Sequence, residues 1–218
     1  MRKKGLFITF EGIEGSGKST QIRTLAAYLR RRGIDVLVTR EPGGTPAAEQ
    51  IRRALLRPGA RWPPVAELLL VNATRALHVE QVLRPALRRG TWVLCDRFTD
   101  ATLAYQGYGR GVPLATARAI NRMATGGLAP DRTLVFDLAP SRALRRARRR
   151  RRNASRFDLE TDAFHQRVRA GYRTIAAREP RRVRWIEARG QREHVFRRVC
   201  TALEDLLPSL RPARARRQ

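Results

Sequence analysis

Residues 12 to 20 read G-I-E-G-S-G-K-S-T, and the first eight of them fit the spacing G-x-x-x-x-G-K-S. Glycines at such spacing let successive backbone N–H groups point at one anion, and a helix that starts there adds its partial positive charge. The chemistry implied is capture of a nucleoside triphosphate by Gly12, Ile13, Glu14, Gly15, Ser16, Gly17, Lys18, Ser19 and Thr20. Lys18 is the only interior lysine: with Lys3 and Lys4 it makes up all the lysine among 46 Lys plus Arg. A compact ammonium can extend over the β- and γ-phosphates where a wider, fork-shaped guanidinium cannot, so a lysine kept in an arginine-dominated chain points to a catalytic charge. Ser19 supplies a small hydroxyl suited to Mg²⁺.

Two more positions could work on the same anion. The run VLCD ends in Asp96, which suits a water-mediated Mg²⁺ partner, and is followed by Arg97. The stretch TREPGGT, residues 39 to 45, opens with Arg40 just after a second apolar run. Neither a Ser-His-Asp arrangement nor a catalytic carboxylate pair is evident. Cys95 and Cys200 are too few and too distant for a disulfide framework, and His78, His165 and His194 form no metal-ligand pattern.

Elements that would position these residues alternate along the chain. Apolar, β-prone runs at 6–10, 35–39, 91–96, 133–138 and 183–188 predict strands, and helical spacing is present at 19–32, 47–56, 66–89 and 195–207. This alternation implies an α/β fold, a five-stranded parallel sheet flanked by helices, with ligands at the carboxyl ends of the strands. Residues 141–157 begin as a helix and become nearly all arginine, which predicts a short lid at about 141–160. Residues 1–210 are read as one domain and 211–218 as a basic tail expected to be disordered.

Composition bounds the partners. With 218 residues and 42% hydrophobic content the chain can bury a core, and its formal net charge is +27. Such charge raises nucleic acid as a partner, but the arginines run from Arg2 to Arg217 without forming one stripe, and aromatics are only 6%. Glu11 and Glu14 end the first apolar run too early for a signal peptide, and no run is long enough for a membrane span. A soluble protein of a reducing cytoplasm is expected, with no membrane partner.

The stretches FEGIEGSGKST, TREPGGT, AELLL with Arg75 and His78 after it, RPAL, GTWVLCDRFTDATLAYQGYGRG, APD and SRFDLE resemble, in matching order from about residue 5 to about 207, the thymidylate kinase family. The resemblance implies the P-loop nucleoside monophosphate kinase fold, MgATP as phosphoryl donor, dTMP as acceptor and dTDP as product. It also implies a homodimer formed through helices of roughly residues 45 to 90. On this resemblance Glu14 contacts the sugar 3′-hydroxyl, Arg40 and Arg97 hold the 5′-phosphate, and Arg75 reads the thymine carbonyl. Thr102, Tyr105 and Gln106 line the acceptor site, with Tyr105 disfavouring a ribose 2′-hydroxyl. Ser19 and Asp96 serve the metal. Gly15 stands where one branch of the family has a catalytic arginine, so the branch with a lid arginine is implied, and Arg156 is the candidate, with Arg149 to Arg152 nearby. Lys18, Arg97 and Arg156 are then the catalytic set. Departures from the pattern are Val71 in place of a phenylalanine that stacks on thymine, Asn72, Thr74 and Leu77 around Arg75, and Ser155 and Asp158 beside Arg156. They motivate an alternative kinase with another pyrimidine preference, and the charge motivates a nucleic-acid-binding protein on the same scaffold.

Overall fold

The computed structural model describes residues 5–149 and 156–207. Much of the arginine run before Arg156 and the tail 211–218 therefore lie outside the described residues, and so do Arg150 to Arg152.

Five parallel strands form one sheet: β1 (Phe7–Glu11), β2 (Val36–Arg40), β3 (Trp92–Asp96), β4 (Arg132–Asp137) and β5 (Val183–Glu187), in the order β2-β3-β1-β4-β5. The expected strands are present, with ends shifted by about a residue because the ladder partners fix where pairing stops. β1 is central and buried throughout, flanked by β3 and β4. Its alternation splits the core: Ile8 and Phe10 join the larger cluster, and Phe7 packs with Val93, Cys95 and Phe98 in a smaller one.

Helix α1 (Lys18–Arg30) follows the loop after β1, and its cap residue Gly17 adopts a φ of 98° with no side-chain cap, so the first amides keep their donors for a ligand. Helix α2 (Pro46–Leu56) starts with Pro46 and is capped by Thr45, whose hydroxyl accepts from Ala48 N at 3.2 Å. The helix expected over 66–89 is α3 (Pro64–His78), a π-helical stretch Val79–Leu83 and α4 (Arg84–Arg88). Pro85 has no N–H to continue the ladder, which accounts for a widened turn just before it.

Three elements were not foreseen as helices. They are α5 (Thr99–Thr102) running into a π-helical Leu103–Gly109, α6 (Leu114–Thr125), and α8 (Asp162–Arg178). Between the last two lie α7 (Pro140–Arg149) and a 3₁₀ turn Arg156–Leu159. The closing helix is α9 (Arg192–Ala202), shorter than the expected 195–207 at its end. Helix α8 turns Phe164, His165, Val168, Tyr172 and Ile175 into the core, and this brings Tyr172 beneath the strand ends.

Candidate active site

The loop between β1 and α1 sits where the strand ends converge. Gly12, with φ of 124°, tolerates no side chain: a Cβ there would lie 2.5 Å from Phe136 O. Lys18 donates its Nζ to Gly12 O at 2.9 Å and to Ile13 O at 3.1 Å. Burial lowers the affinity of Lys18 for its proton, and neighbouring Arg97 lowers it further. Ser16 Oγ is buried without a hydrogen-bond partner among the described residues, a polar atom in a loop of inward-facing donors. Ser19 Oγ donates to Asp96 Oδ2 at 3.1 Å, so the two expected metal residues are adjacent although β3 and α1 are far apart in sequence.

Arg97 follows β3 with φ of 74°, the only non-glycine positive φ among the described residues. Such a conformation costs on the order of 1–3 kcal/mol and persists when its surroundings fix it. Those surroundings are explicit. Arg97 Nη2 donates to Glu14 Oε1 at 2.6 Å and to the Tyr105 hydroxyl at 2.9 Å, and Nη1 reaches the Tyr172 hydroxyl at 3.3 Å. Tyr105 donates in turn to Glu14 Oε2 at 2.8 Å. Burial opposes the charge on Glu14, but Arg97 and Lys18 outweigh it and hold the carboxyl below its ordinary value. Beneath this group, Glu11 accepts from Phe98 N at 2.8 Å and from the Tyr172 hydroxyl at 2.7 Å. It thereby pins the backbone directly after the strained residue. Burial, with Asp100 adding repulsion, pushes Glu11 up to about 7.

A cavity of about 410 Å³ opens between these groups and α2 and α3. Its lining includes Glu14, Gly15, Lys18, Ser19, Arg40, Val71, Arg75, Asp96, Arg97, Thr102, Tyr105 and Gln106, so most of the expected donor, acceptor and metal residues meet in one space. Arg40 spans both oxygens of Glu49 at 3.1 Å each. Arg75 is 1% exposed and heavily engaged: Nε donates to Glu41 Oε2 at 2.8 Å, Nη1 serves Asn72, Thr102 and Asn121, and Nη2 donates to Phe98 O at 3.0 Å. Of the departing residues around Arg75, only Val71 lines the cavity. Asn72 supports Arg75, and Thr74 donates to Val71 O at 2.7 Å within its own helix.

Arg156 is placed differently from its expected catalytic position. It is 7% exposed, outside the cavity lining, with Nε on Leu55 O at 2.7 Å and Nη2 on Glu67. Its Nε and Nη2 are thus committed to α2 and α3. Its neighbours Phe157 and Asp158 do line the cavity. Sequence reasoning also missed Arg52, Leu56, Ala101 and the supporting Glu11 and Tyr172. Arg52 belongs to no recognisable motif; its only local signal is its place about one turn after Glu49, the partner of Arg40.

A family model described as thymidylate kinase matches residues 10–199. The chain is similar to the thymidylate kinases of Symbiobacterium thermophilum and Pseudomonas fluorescens, at 50% identity over 204 residues and 52% over 207. These matches cover 93% and 94% of this chain and 94% and 96% of those proteins. The crystal structure of thymidylate kinase from Ehrlichia chaffeensis superposes with a TM-score of 0.75 at 34% identity, over 92% of this chain and 99% of that one.

Proposed function

The chain belongs to the thymidylate kinase family, and from that premise we propose how its own residues carry out the phosphorylation of dTMP to dTDP by ATP. The observation that carries the proposal is one cavity holding both the phosphate loop and the Arg97–Glu14–Tyr105 group. Loop amides and Lys18 hold the triphosphate, and Lys18 leaves its carbonyl partners for the β- and γ-phosphates. Arg97, kept in place by Glu14 and Tyr105, holds the acceptor phosphate, with Arg40 and Arg52 lining the same cavity. Val71, Arg75, Thr102 and Gln106 face the nucleoside. The acceptor oxygen is already anionic at neutral pH, so these residues act by alignment and by positive charge.

Ser19 and Asp96 fit Mg²⁺: they place a hydroxyl and a carboxylate together, and this ion uses few protein oxygens, the rest being water and phosphate. Mg²⁺ held by these two residues would neutralise charge on the transferring phosphoryl group. A single domain is supported by one sheet collecting all described strands. A homodimer is supported by an apolar face on α3, where Val65 and Leu69 are exposed, with the small exposed Ala73 and Ala76 on following turns. A cytoplasmic setting is supported by two free cysteines, and no helix among the described residues is long and apolar enough to cross a membrane.

A coupled ATP assay over dTMP, dUMP, UMP and dCMP, run on the parent and on Lys18→Arg, tests the assignment. dTMP is expected to be the best acceptor, and Lys18→Arg to lose on the order of a hundredfold or more in kcat with an unchanged melting temperature. A preferred dUMP would replace the base assignment, and an active Lys18→Arg would remove the loop from catalysis.

A further inference from the structure

We propose that Glu67 is a positioning residue that sets the orientation of the Gln106 amide, and through it which base edge the acceptor pocket accepts. The inference rests on the cavity being the acceptor site of a nucleoside monophosphate kinase.

Glu67, on α3, is fully buried, one turn before Val71 and two before Arg75. Its Oε1 accepts from Gln106 Nε2 at 2.7 Å and, at a longer 3.4 Å, from Arg110 Nε, and its Oε2 accepts from Arg110 Nε at 3.2 Å and from Arg156 Nη2. Arg110 also pairs with Glu160. Two carboxylates and two guanidiniums thus form a neutral cluster, which is how a carboxylate can be buried at this depth. The cluster ties three elements together: α3, the π-helical segment that carries Gln106, and the 3₁₀ turn Arg156–Leu159.

A carboxylate accepts hydrogen bonds and cannot donate them. Gln106 can therefore meet Glu67 only through its NH₂ group. Its carbonyl oxygen, on the other branch of the same planar amide, takes no partner among the described residues, and Gln106 lines the cavity. The pocket consequently offers an acceptor to the base. A base edge with an N–H donor at N3, as in thymine or uracil, is matched, whereas the N3 lone pair of cytosine is opposed. Base class is set by a residue that does not line the cavity.

Glu67→Gln reverses the demand. Arg110 and Arg156 keep the new side chain's carbonyl, so its NH₂ faces Gln106, whose amide must turn its carbonyl toward residue 67 to accept and its NH₂ toward the cavity. The kcat/KM for dTMP is expected to fall on the order of tenfold or more, and the ratio of dCMP to dTMP kcat/KM to rise at least tenfold, since a donor then faces the N3–H of thymine and both are left unpaired. In a Gln106→Ala background the same Glu67→Gln change is expected to leave the ratio unmoved, which identifies the amide as the route. Should Glu67→Gln fail to fold, Glu67→Gln combined with Arg110→Gln restores a neutral cluster with the same demand on Gln106, and the same rise is expected. A ratio within threefold of the parent in the folded variant, with both rates lowered together, would overturn the inference and leave Glu67 a structural residue. A parent enzyme that prefers dCMP would instead overturn the reading of the acceptor site itself.

Discussion

Val71 stands where the resemblance to the family implies a phenylalanine stacked on the base. It is 8% exposed on the cavity wall, beside Leu56, Ala101 and Phe157. Val71→Phe is expected to tighten dTMP, lowering its KM by up to about tenfold, because an offset aromatic stack adds about 0.5–1.5 kcal/mol beyond buried area. KM for ATP should not change, and steady-state kinetics varying each substrate in turn checks both. A weaker dTMP KM would mean that the ring clashes, at about 1–3 kcal/mol, in a pocket closed down around valine. Residues of this kind were legible because they lie in short stretches with fixed spacing: Lys18, Asp96, Arg97 and Val71 all line one cavity. Glu11, Glu67 and Tyr172 were not. Their roles depend on which distant side chain each meets, and nothing local in FITFE, AELLL or AGYRT announces the partner. Arg156 shows the converse, since a motif position suggested a mobile charge and tertiary pairing with Glu67 buries it.

Among the elements, β1 ends in a carboxyl whose ionisation couples to folding. Glu11 is fully buried, and burial reinforced by Asp100 raises it from 4.5 to about 7. Below pH 4.5 both folded and unfolded chains hold this proton, and the contribution of the neutral buried form is fully present. Between there and about pH 7 the unfolded chain releases the proton first, so stability from this group falls as pH rises, by about 3 kcal/mol across the window. Glu11→Gln imitates the protonated form and should remove that slope. Urea melts at pH 5 and pH 8 are expected to show the variant gaining on the parent at the higher pH, and an equal gap at both would mean that Glu11 is not held neutral. The strands were legible because a central parallel strand is apolar without interruption. Helix α8 was not foreseen, although Phe164, Val168, Tyr172 and Ile175 recur at helical spacing; six polar or charged residues between them dilute the stripe. The π-helical run from Leu103 to Gly109 has no sequence period to recognise, yet it presents both Tyr105 and Gln106 to the cavity.

The whole molecule carries 46 basic against 19 acidic residues, and its acidic groups are heavily used in pairs such as Asp100–Arg182, Asp137–Arg169 and Glu67–Arg110. Surplus arginines therefore repel one another over the surface, a cost that salt screens within a Debye length of about 10 Å at 0.1 M. Raising NaCl from about 0.02 to 0.3 M, a span that shortens this length severalfold, is expected to raise Tm by at least 2–4 °C, the shift that about 1 kcal/mol makes in a chain of this size. A flat or falling Tm in a thermal melt series would show that the surplus charge is locally compensated. The strand order has a consequence for synthesis as well. β1 lies near the start of the chain but pairs with Val93–Asp96 on one side and Arg132–Val135 on the other. At about 5–20 residues per second, a ribosome takes several seconds or more to supply those partners. Through that interval an apolar, β-prone segment waits unpaired, the kind of stretch that recruits other nascent chains. Arg2, Lys3 and Lys4 before it and Glu11 after it are placed to keep such copies apart until the sheet closes around the strand.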